Sequence, residues 1–212
     1  MRRLFAKIHR RLFRPAVILH GYEQAELIDV IFRKTLAFEP HSHWPEMRGV
    51  ASVLDFGGGF GVHYKQANSP TIRWAVVETP AIVRRAKEIA SERLQFFVDV
   101  AAARDWLREV DVMHSNGAIQ YTRDPIQTLK ELCSVSAKRM IWRRLFLSDI
   151  KREETQSSFL GDNGPGALEI VEKTVQYQRT SVSEREFLSA HNNYILEDRG
   201  RDWFRFQITR MM

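Results

Sequence analysis

Cysteine is almost absent from this sequence of 212 residues, which contains Cys133 alone. A single thiol cannot form an intrachain disulfide, and it excludes the paired-cysteine motifs of structural zinc sites. We therefore expect no metal site of that kind, and a reducing, cytoplasmic compartment. Long apolar runs are absent too, since no stretch approaches the roughly 20 residues that a membrane-spanning helix needs. The sequence thus predicts no membrane-spanning segment.

Acidic residues are absent from residues 1–14, which hold six of the 32 lysines and arginines. The remaining chain then has 26 basic residues against 26 acidic ones, so this one segment accounts for the net charge of +6. A neutral body argues against a nucleic-acid-binding domain, because such domains carry basic clusters within the fold. The length fits one domain, which we place at residues 15–212, behind the basic segment.

The basic segment at residues 1–14 has a helical pattern, because Leu4, Ile8 and Leu12 recur at every fourth position. This pattern predicts an amphipathic helix that packs its apolar stripe on its own domain or on the second subunit of a homodimer. A peripheral membrane contact is an alternative, because the basic face suits an anionic lipid surface. An Arg-rich transit peptide is a third interpretation.

Strands and helices alternate from Val50 onward, which predicts an α/β fold with a parallel sheet and right-handed crossovers. A helix is predicted at residues 22–37 and a polar loop at 149–168. In the last strand Phe204 and Phe206 alternate with polar residues, as in an antiparallel strand, and we place both in the core with Trp203. The result is a Rossmann-like, mostly parallel sheet of seven predicted strands with helices on both faces: 50–54, 72–77, 94–98, 110–114, 139–147, 194–197 and 203–209.

A glycine-rich turn, Asp55-Phe56-Gly57-Gly58-Gly59-Phe60-Gly61, directly follows the first of these strands and precedes a helix. Glycines let a backbone turn sharply and approach a ligand closely, and the N-terminus of the next helix presents free N–H groups. Seventeen residues past Gly61, the second strand ends in Glu78. An acid at that place binds ribose hydroxyls in dinucleotide folds, so the turn predicts a nucleoside-binding site.

Phosphate-binding signatures are missing from this turn. A nicotinamide fingerprint needs G-x-G-x-x-G, but Val62 stands where the third glycine belongs, and the lysine of a P-loop is absent. Asp55 would repel a pyrophosphate, whereas it suits a ligand with an ammonium group. S-adenosylmethionine has an amino-acid end, a ribose and no phosphate, so it fits best. A turn that binds nothing is the alternative, but so many glycines would then carry an entropic cost without a benefit.

The region from Val53 to Asp124 resembles the class I S-adenosylmethionine-dependent methyltransferases. VLDFGGGFG resembles their first motif, VVETPAIVRRA their second and the strand end FFVD their third. More narrowly, VLDFGGGFGVHY with HSNGAIQYTRDP resembles a family of uncharacterised methyltransferases often associated with surface-polysaccharide biosynthesis. The resemblance extends over most of the chain, and its first motif is the specific part.

This resemblance implies particular contacts with the cofactor. Asp55 would lie near its methionine end, Glu78 on its ribose diol and Asp99 near its adenine amino group. Asn116, after the fourth strand, either bonds the cofactor or stabilises a turn. The glycines of the turn would lie along the cofactor: Gly57, Gly58, Gly59 and Gly61.

The candidate catalytic residues follow the fourth strand, because ligands bind at the carboxyl ends of such strands. IQYTRDP resembles the L-H-x-x-x-D segment of small-molecule O-methyltransferases, in which the histidine is the base. Gln120 occupies that place here, and glutamine cannot take a proton near neutral pH. His114 and Tyr121 are the nearest other candidates. His114 equally suits a strand-end histidine bonded to backbone, and Tyr121 equally suits core packing.

The leading hypothesis is therefore a methyltransferase that acts on a small molecule or a glycan precursor, at an oxygen atom. A nucleic-acid methyltransferase with residues 1–14 as a basic arm is the second hypothesis. The missing Asn-Pro-Pro-aromatic and Pro-Cys signatures count against it. A non-catalytic cofactor-binding scaffold is the third hypothesis, because Gln120 replaces the base.

Overall fold

The fold is taken from a computed structural model that describes residues 17–40, 44–166, 168, 170 and 172–209. The helix predicted within residues 1–14 lies outside the described residues. Ten strands are described: β1 Val17–His20, β2 Ser52–Phe56, β3 Arg73–Val77, β4 Leu94–Phe97, β5 Val112–Asn116, β6 Arg139–Arg143, β7 Glu153–Phe159, β8 Lys173–Thr180, β9 Tyr194–Arg199 and β10 Phe204–Ile208.

Six α-helices connect these strands in the described part of the chain, together with three short 3-10 helices. None of the described helices combines the length and the apolar character that crossing a membrane requires. The helices are α1 Ala25–Leu36, α2 Val62–Ala67, α3 Pro80–Ala86, α4 Val100–Leu107, α5 Pro125–Ser134 and α6 Glu184–Ala190, and the 3-10 helices are Pro45–Met47, Ile119–Tyr121 and Leu160–Asp162.

The main sheet has seven strands in the order β4-β3-β2-β5-β6-β10-β9. Strands β2 to β6 pair in parallel, whereas β10 is antiparallel to both β6 and β9. This confirms the α/β fold with a mostly parallel seven-stranded sheet and an antiparallel last strand. The order reverses between β2 and β5, and open α/β sheets bind their ligands outside the strand ends at such a switch point.

Both faces of the main sheet are covered, because neighbouring residues of a strand point to opposite sides. On one face, Leu54 and Met113 pack in a cluster with residues of α4, α5 and α6. On the other face, Val53 and Val112 pack with Trp44 and with residues of α2. The near-continuous apolar sequences of the central strands follow from this double burial.

A second sheet of three strands, in the order β1-β8-β7, was not foreseen from the sequence. The prediction of a loop over residues 149–168 is wrong for Glu153–Phe159, which pairs antiparallel with β8. The sequence of β7 is polar and its burial pattern is mostly exposed or intermediate, as expected for a strand at a sheet edge. Such a strand shows no apolar alternation, so its pairing with β8 has no signature in the local sequence.

His191, which directly follows α6, is a buried histidine with two hydrogen bonds. Its Nδ1 lies 2.7 Å from the Phe187 carbonyl oxygen, and the Trp142 Nε1–H donates to its Nε2 over 2.9 Å. Both contacts fit a neutral ring that carries its proton on Nδ1. Burial lowers the pKa of His191 to about 4, although the bond to Phe187 opposes that shift.

We predict that His191 makes the stability of the fold depend on pH. Below about pH 6.5, the ordinary pKa of histidine, His191 is protonated in the unfolded chain but stays neutral in the native fold. Acid therefore lowers the unfolding free energy. The contribution is complete above about pH 6.5 and is lost as the pH falls to about 4, a loss of roughly 3 kcal/mol. Urea unfolding at several pH values should show that the unfolding free energy depends less steeply on pH in His191→Gln than in the wild type. His20→Gln, at an exposed position of β1, is the control, and an unchanged slope in His191→Gln would contradict the prediction.

Candidate functional site

A cleft of about 630 Å³ opens at the carboxyl ends of β2, β3 and β5. One wall is formed by the glycine turn after β2 and by Glu78 after β3, with Asn116 at the end of β5. The opposite wall comes from β7 and β8 of the second sheet and from residues that lie between these two strands in the sequence. Small-molecule sites have volumes of about 300–1,000 Å³, so the cleft has the size of a ligand site.

The backbone of the turn requires glycine, because Gly57, Gly59 and Gly61 all have positive φ angles of 59° to 81°. A Cβ atom on Gly57 would collide with Ala118, and one on Gly58 would collide with the Asp55 carboxylate. At Gly59 a Cβ atom would meet nothing within 4 Å, although the residue lines the cleft. Gly59 is therefore the point at which a ligand can touch bare backbone.

Glu78 connects the turn to the next strand. Its Oε1 accepts a hydrogen bond from the Gly59 N–H over 3.0 Å, and its Oε2 accepts one from the Thr79 N–H over 2.9 Å. Burial raises the pKa of the Glu78 carboxyl group, and these two backbone donors oppose the rise. The carboxylate lines the cleft with lone pairs left over, as a group that binds ribose hydroxyls requires.

Asp55 does not line the cleft, in contrast to the contact expected from the sequence. Its side chain is completely buried below the turn and has three hydrogen-bonding partners. Oδ1 lies 2.7 Å from His114 Nδ1, and Oδ2 lies 3.0 Å from His63 Nδ1 and 3.2 Å from Trp74 Nε1. A completely buried carboxylate that is bonded to these three side chains supports the site from below and is not available to a ligand.

The charge of this buried cluster resides on Asp55. Burial opposes ionisation of its carboxyl group, but the two neighbouring histidines outweigh burial and hold its pKa below the usual range. For the fully buried His114 the balance is reversed, because burial lowers its pKa in spite of the attraction from Asp55. His114 is therefore neutral, with its proton on the Nδ1 atom that faces Asp55.

His63, in α2, links the buried cluster to the cleft and was missed by the sequence analysis. Its Nδ1 faces Asp55, its Nε2 lies 3.2 Å from Asn116 Nδ2, and the residue lines the cleft. The sequence carries one signal for it, because His63 is the second residue after the glycine turn. A side chain at that position has to lie near the carboxyl end of β2.

Asp55, His63 and His114 are also the described residues that could hold a metal ion, with donor atoms within 4.8 Å of one another. The Nδ1 atoms of both histidines already point at the carboxylate, and Trp74 donates to it as well. Hydrogen bonds thus satisfy the carboxylate without a cation.

The other predicted site residues divide between the cleft and the interior. Gln120 is 4% exposed and donates to the Arg144 carbonyl, and His114 is completely buried. Neither side chain lines the cleft, in contrast to the catalytic place that the sequence predicted for both. Asp99 caps α4 by accepting from the Ala102 N–H and does not line the cleft. Gly61 precedes α2 outside the lining. The predicted residues that line the cleft are Gly57, Gly58, Gly59, Glu78, Asn116 and Tyr121.

Aromatic and amide groups form the far wall of the cleft. The Tyr22 ring stacks on Tyr177 at 4.2 Å between centroids and meets Tyr121 edge-on at 5.3 Å. The Tyr121 hydroxyl donates to Gln156 Oε1 over 2.5 Å. Burial raises the pKa of Tyr22 and of Tyr177, so both phenols stay protonated and can donate hydrogen bonds.

Comparison with known proteins gives only distant likenesses. No protein-family model matches the chain, and no curated protein does. Solved structures with a similar fold include the N-terminal domain of EvdMO1 with SAH bound (13% identity, TM-score 0.47, 99% of this chain and 98% of that one). Others are the sugar N-methyltransferase KedS8 from Streptoalloteichus sp ATCC 53650 (14%, 0.49, 88% of each chain) and an O-methyltransferase family protein from Burkholderia thailandensis (14%, 0.49, 87% and 55%). Function therefore has to be argued from the cleft itself.

We predict that Asp55 contributes far more to stability than Asp99. Asp55→Ala leaves buried N–H donors without an acceptor, each at a cost of roughly 1–3 kcal/mol. Asp99→Ala removes an exposed helix cap, at a cost of about 1 kcal/mol. Urea unfolding of both variants measures the difference. Equal losses would mean that the buried cluster does not hold the site together.

Proposed function

We propose that this chain is an S-adenosylmethionine-dependent methyltransferase that acts on a hydroxyl group of a small molecule or glycan precursor. The observation that carries the proposal is one cleft in which a bare glycine backbone lies beside a carboxylate. Gly59 and Glu78 are hydrogen-bonded to each other there, at the switch point of the sheet.

The residues at the glycine end of the cleft fit S-adenosylmethionine. Glu78 can accept hydrogen bonds from the two ribose hydroxyls, and Gly59 leaves room for close approach. The Asn116 Oδ1 atom is buried and has no hydrogen-bonding partner among the described residues. It can accept from the ammonium group that Asp55, buried below, does not reach. No phosphate-binding arrangement competes, because the turn lacks the third glycine of a nicotinamide fingerprint and the lysine of a P-loop.

When bound, this cofactor supplies a methyl group on a positively charged sulfur, for transfer by in-line displacement. The walls of the cleft contribute alignment and the exclusion of water, which supply much of the rate in such reactions. Phe56 and Val77, at the strand ends, provide apolar lining beside the glycine turn. The site therefore needs few charged residues to promote methyl transfer.

The far wall supports a hydroxyl-rich acceptor. The three tyrosines offer apolar ring faces, and Gln156 and Ser158 add polar groups from β7. Aromatic faces with hydrogen-bonding groups at their edges suit sugars and other polyols, which have both C–H and O–H surfaces. A glycan precursor is thus favoured over a nucleic acid, for which the described cleft offers no run of basic residues.

Other predicted partners rest on the sequence alone. Peripheral membrane contact through residues 1–14 and a homodimer both remain predictions, because that segment lies outside the described residues.

We predict that S-adenosylmethionine and its demethylated product S-adenosylhomocysteine (SAH) bind the full chain, and that Gly59→Ala prevents this binding. At about 100 times the dissociation constant, either ligand should stabilise the fold by roughly 2.7 kcal/mol, which raises the unfolding midpoint by several degrees. A methyl group on Gly59 would project into the open cleft, where the ligand lies. Thermal unfolding with and without ligand measures the shift, and NAD tests the dinucleotide alternative.

Gly49→Ala is the matched control, because Gly49 also has a positive φ, of 73°, and open space around its Cβ position. It lies outside the cleft, so its variant should bear the same backbone strain and still respond to SAH. A wild-type shift with NAD instead of SAH, or none at all, would overturn the proposed cofactor. SAH binding without methyl transfer to any hydroxyl in a panel of sugars and nucleotide sugars would favour the non-catalytic scaffold.

A further inference from the structure

His63 has the geometry of an oriented base. Its side chain is 13% exposed and lies between the buried Asp55 and the cleft. An ionised carboxylate can only accept hydrogen bonds, so the His63 Nδ1 atom, 3.0 Å away, carries a proton. A neutral imidazole with its proton on Nδ1 has its lone pair on Nε2. That lone pair is therefore directed away from Asp55 and towards Asn116 at the cleft.

Asn116 can form a hydrogen bond with the His63 ring in its neutral and in its protonated form. Its Nδ2 amide now faces His63 Nε2 at 3.2 Å, as suits a neutral ring, and its Oδ1 has no partner among the described residues. If the side-chain amide turns over, Oδ1 faces Nε2 and accepts a hydrogen bond from a protonated ring. One residue thus serves the ring before and after it takes up a proton.

The surroundings of His63 can compensate a positive charge that forms on this ring during the reaction. Asp55 supplies the compensating negative charge, and the neighbouring His114 ring, 4.6 Å away between centroids, contributes none because it is buried and neutral. Trp44 covers the same pair of histidines, with centroids 5.8 Å and 4.8 Å from the His63 and His114 rings. The cluster therefore places a single carboxylate behind a single ring that faces the cleft.

We propose that His63 is the general base of the methyl transfer and that Asp55 is its positioning residue. This inference rests on the proposed function. In the step, the acceptor oxygen forms a bond to the methyl carbon, and the carbon–sulfur bond breaks with its electron pair leaving on sulfur. The acceptor hydroxyl takes the place of the Asn116 amide at His63 Nε2, and its proton passes to this atom. The chain thereby has a base in spite of Gln120, at a place that differs from the L-H-x-x-x-D pattern.

The proton position is tested first by ¹⁵N NMR of the full chain, with imidazole signals assigned through His63→Gln. At about pH 8 we expect a neutral His63 ring with its proton on Nδ1. Asn116→Ala should leave that proton in place, because Asp55 is unchanged, whereas Asp55→Asn should shift it towards Nε2. If Asp55→Asn fails to fold, the wild type and Asn116→Ala still decide. A proton on Nε2 in the wild type, or a stoichiometric metal ion on the Nδ1 atoms, would overturn the inference.

Accessibility of the lone pair is tested by acylation with diethyl pyrocarbonate, which reacts with unprotonated imidazole nitrogen. Peptide mass spectrometry should show His63 modified well before the buried His114 and His191. A His63 ring that stays unmodified while exposed His20 reacts would count against the inference. An SAH titration of the same sample separates the two claims. If SAH does not bind although the proton position and the acylation are as expected, the proposed methyl transfer is overturned, and only the orientation of the His63 lone pair towards the cleft stands.

Turnover gives the kinetic readout. With hydroxyl acceptors from the panel, His63→Gln should lower kcat by roughly 10²–10⁴-fold, the range that general bases contribute. It should also remove the acidic limb of the pH–rate profile, while the affinity for SAH changes far less. His20→Gln is the control for a general effect of losing a histidine. A wild-type kcat and pH profile in His63→Gln would show that His63 is not the base.

Discussion

The buried carboxylate of Asp55 is the interaction on which the candidate site depends. It joins β2 to Trp74 of β3, to His114 of β5 and to His63 of α2, so that four elements meet at one side chain. A buried charge is tolerated only where hydrogen bonds compensate for the lost water, and these partners supply them. The same carboxylate also excludes a Cβ atom at Gly58. One interaction thus explains both the acid before the turn and one of its glycines.

The cleft arises because the chain changes direction in the sheet. Strands β2, β3 and β4 proceed to one side, and β5 returns to the other side of β2, which leaves the carboxyl ends of β2 and β5 open between their connections. The second sheet closes this opening from the opposite side, with Gln156 of β7 and Tyr177 of β8 in the lining. The glycine end and the tyrosine end therefore come from distant parts of the chain, and each has its own chemistry.

Sequence patterns predicted what local chemistry determines. The apolar strands and the buried Phe204 and Phe206 are confirmed, because burial leaves a periodic signature in the sequence. Trp203 is 36% exposed and not in the core, because it lies before β10 begins at Phe204. Strand β7 and the burial of Asp55 away from the cleft depend on pairing across long sequence separations, which local patterns do not encode. The place of His63, eight residues after Asp55, does have a local signal in its position after the turn.

The central claim is that Glu78 and the turn at Gly59 form the nucleoside-binding end of the cleft. A crystal structure of the full chain with SAH tests it most directly. We predict that the ribose hydroxyls lie within hydrogen-bonding distance of Glu78, with the ligand against Gly59. Asp55 should keep its hydrogen bonds to His63 and His114. SAH bound elsewhere, or a cleft that stays free of it at saturating concentration, would contradict the account.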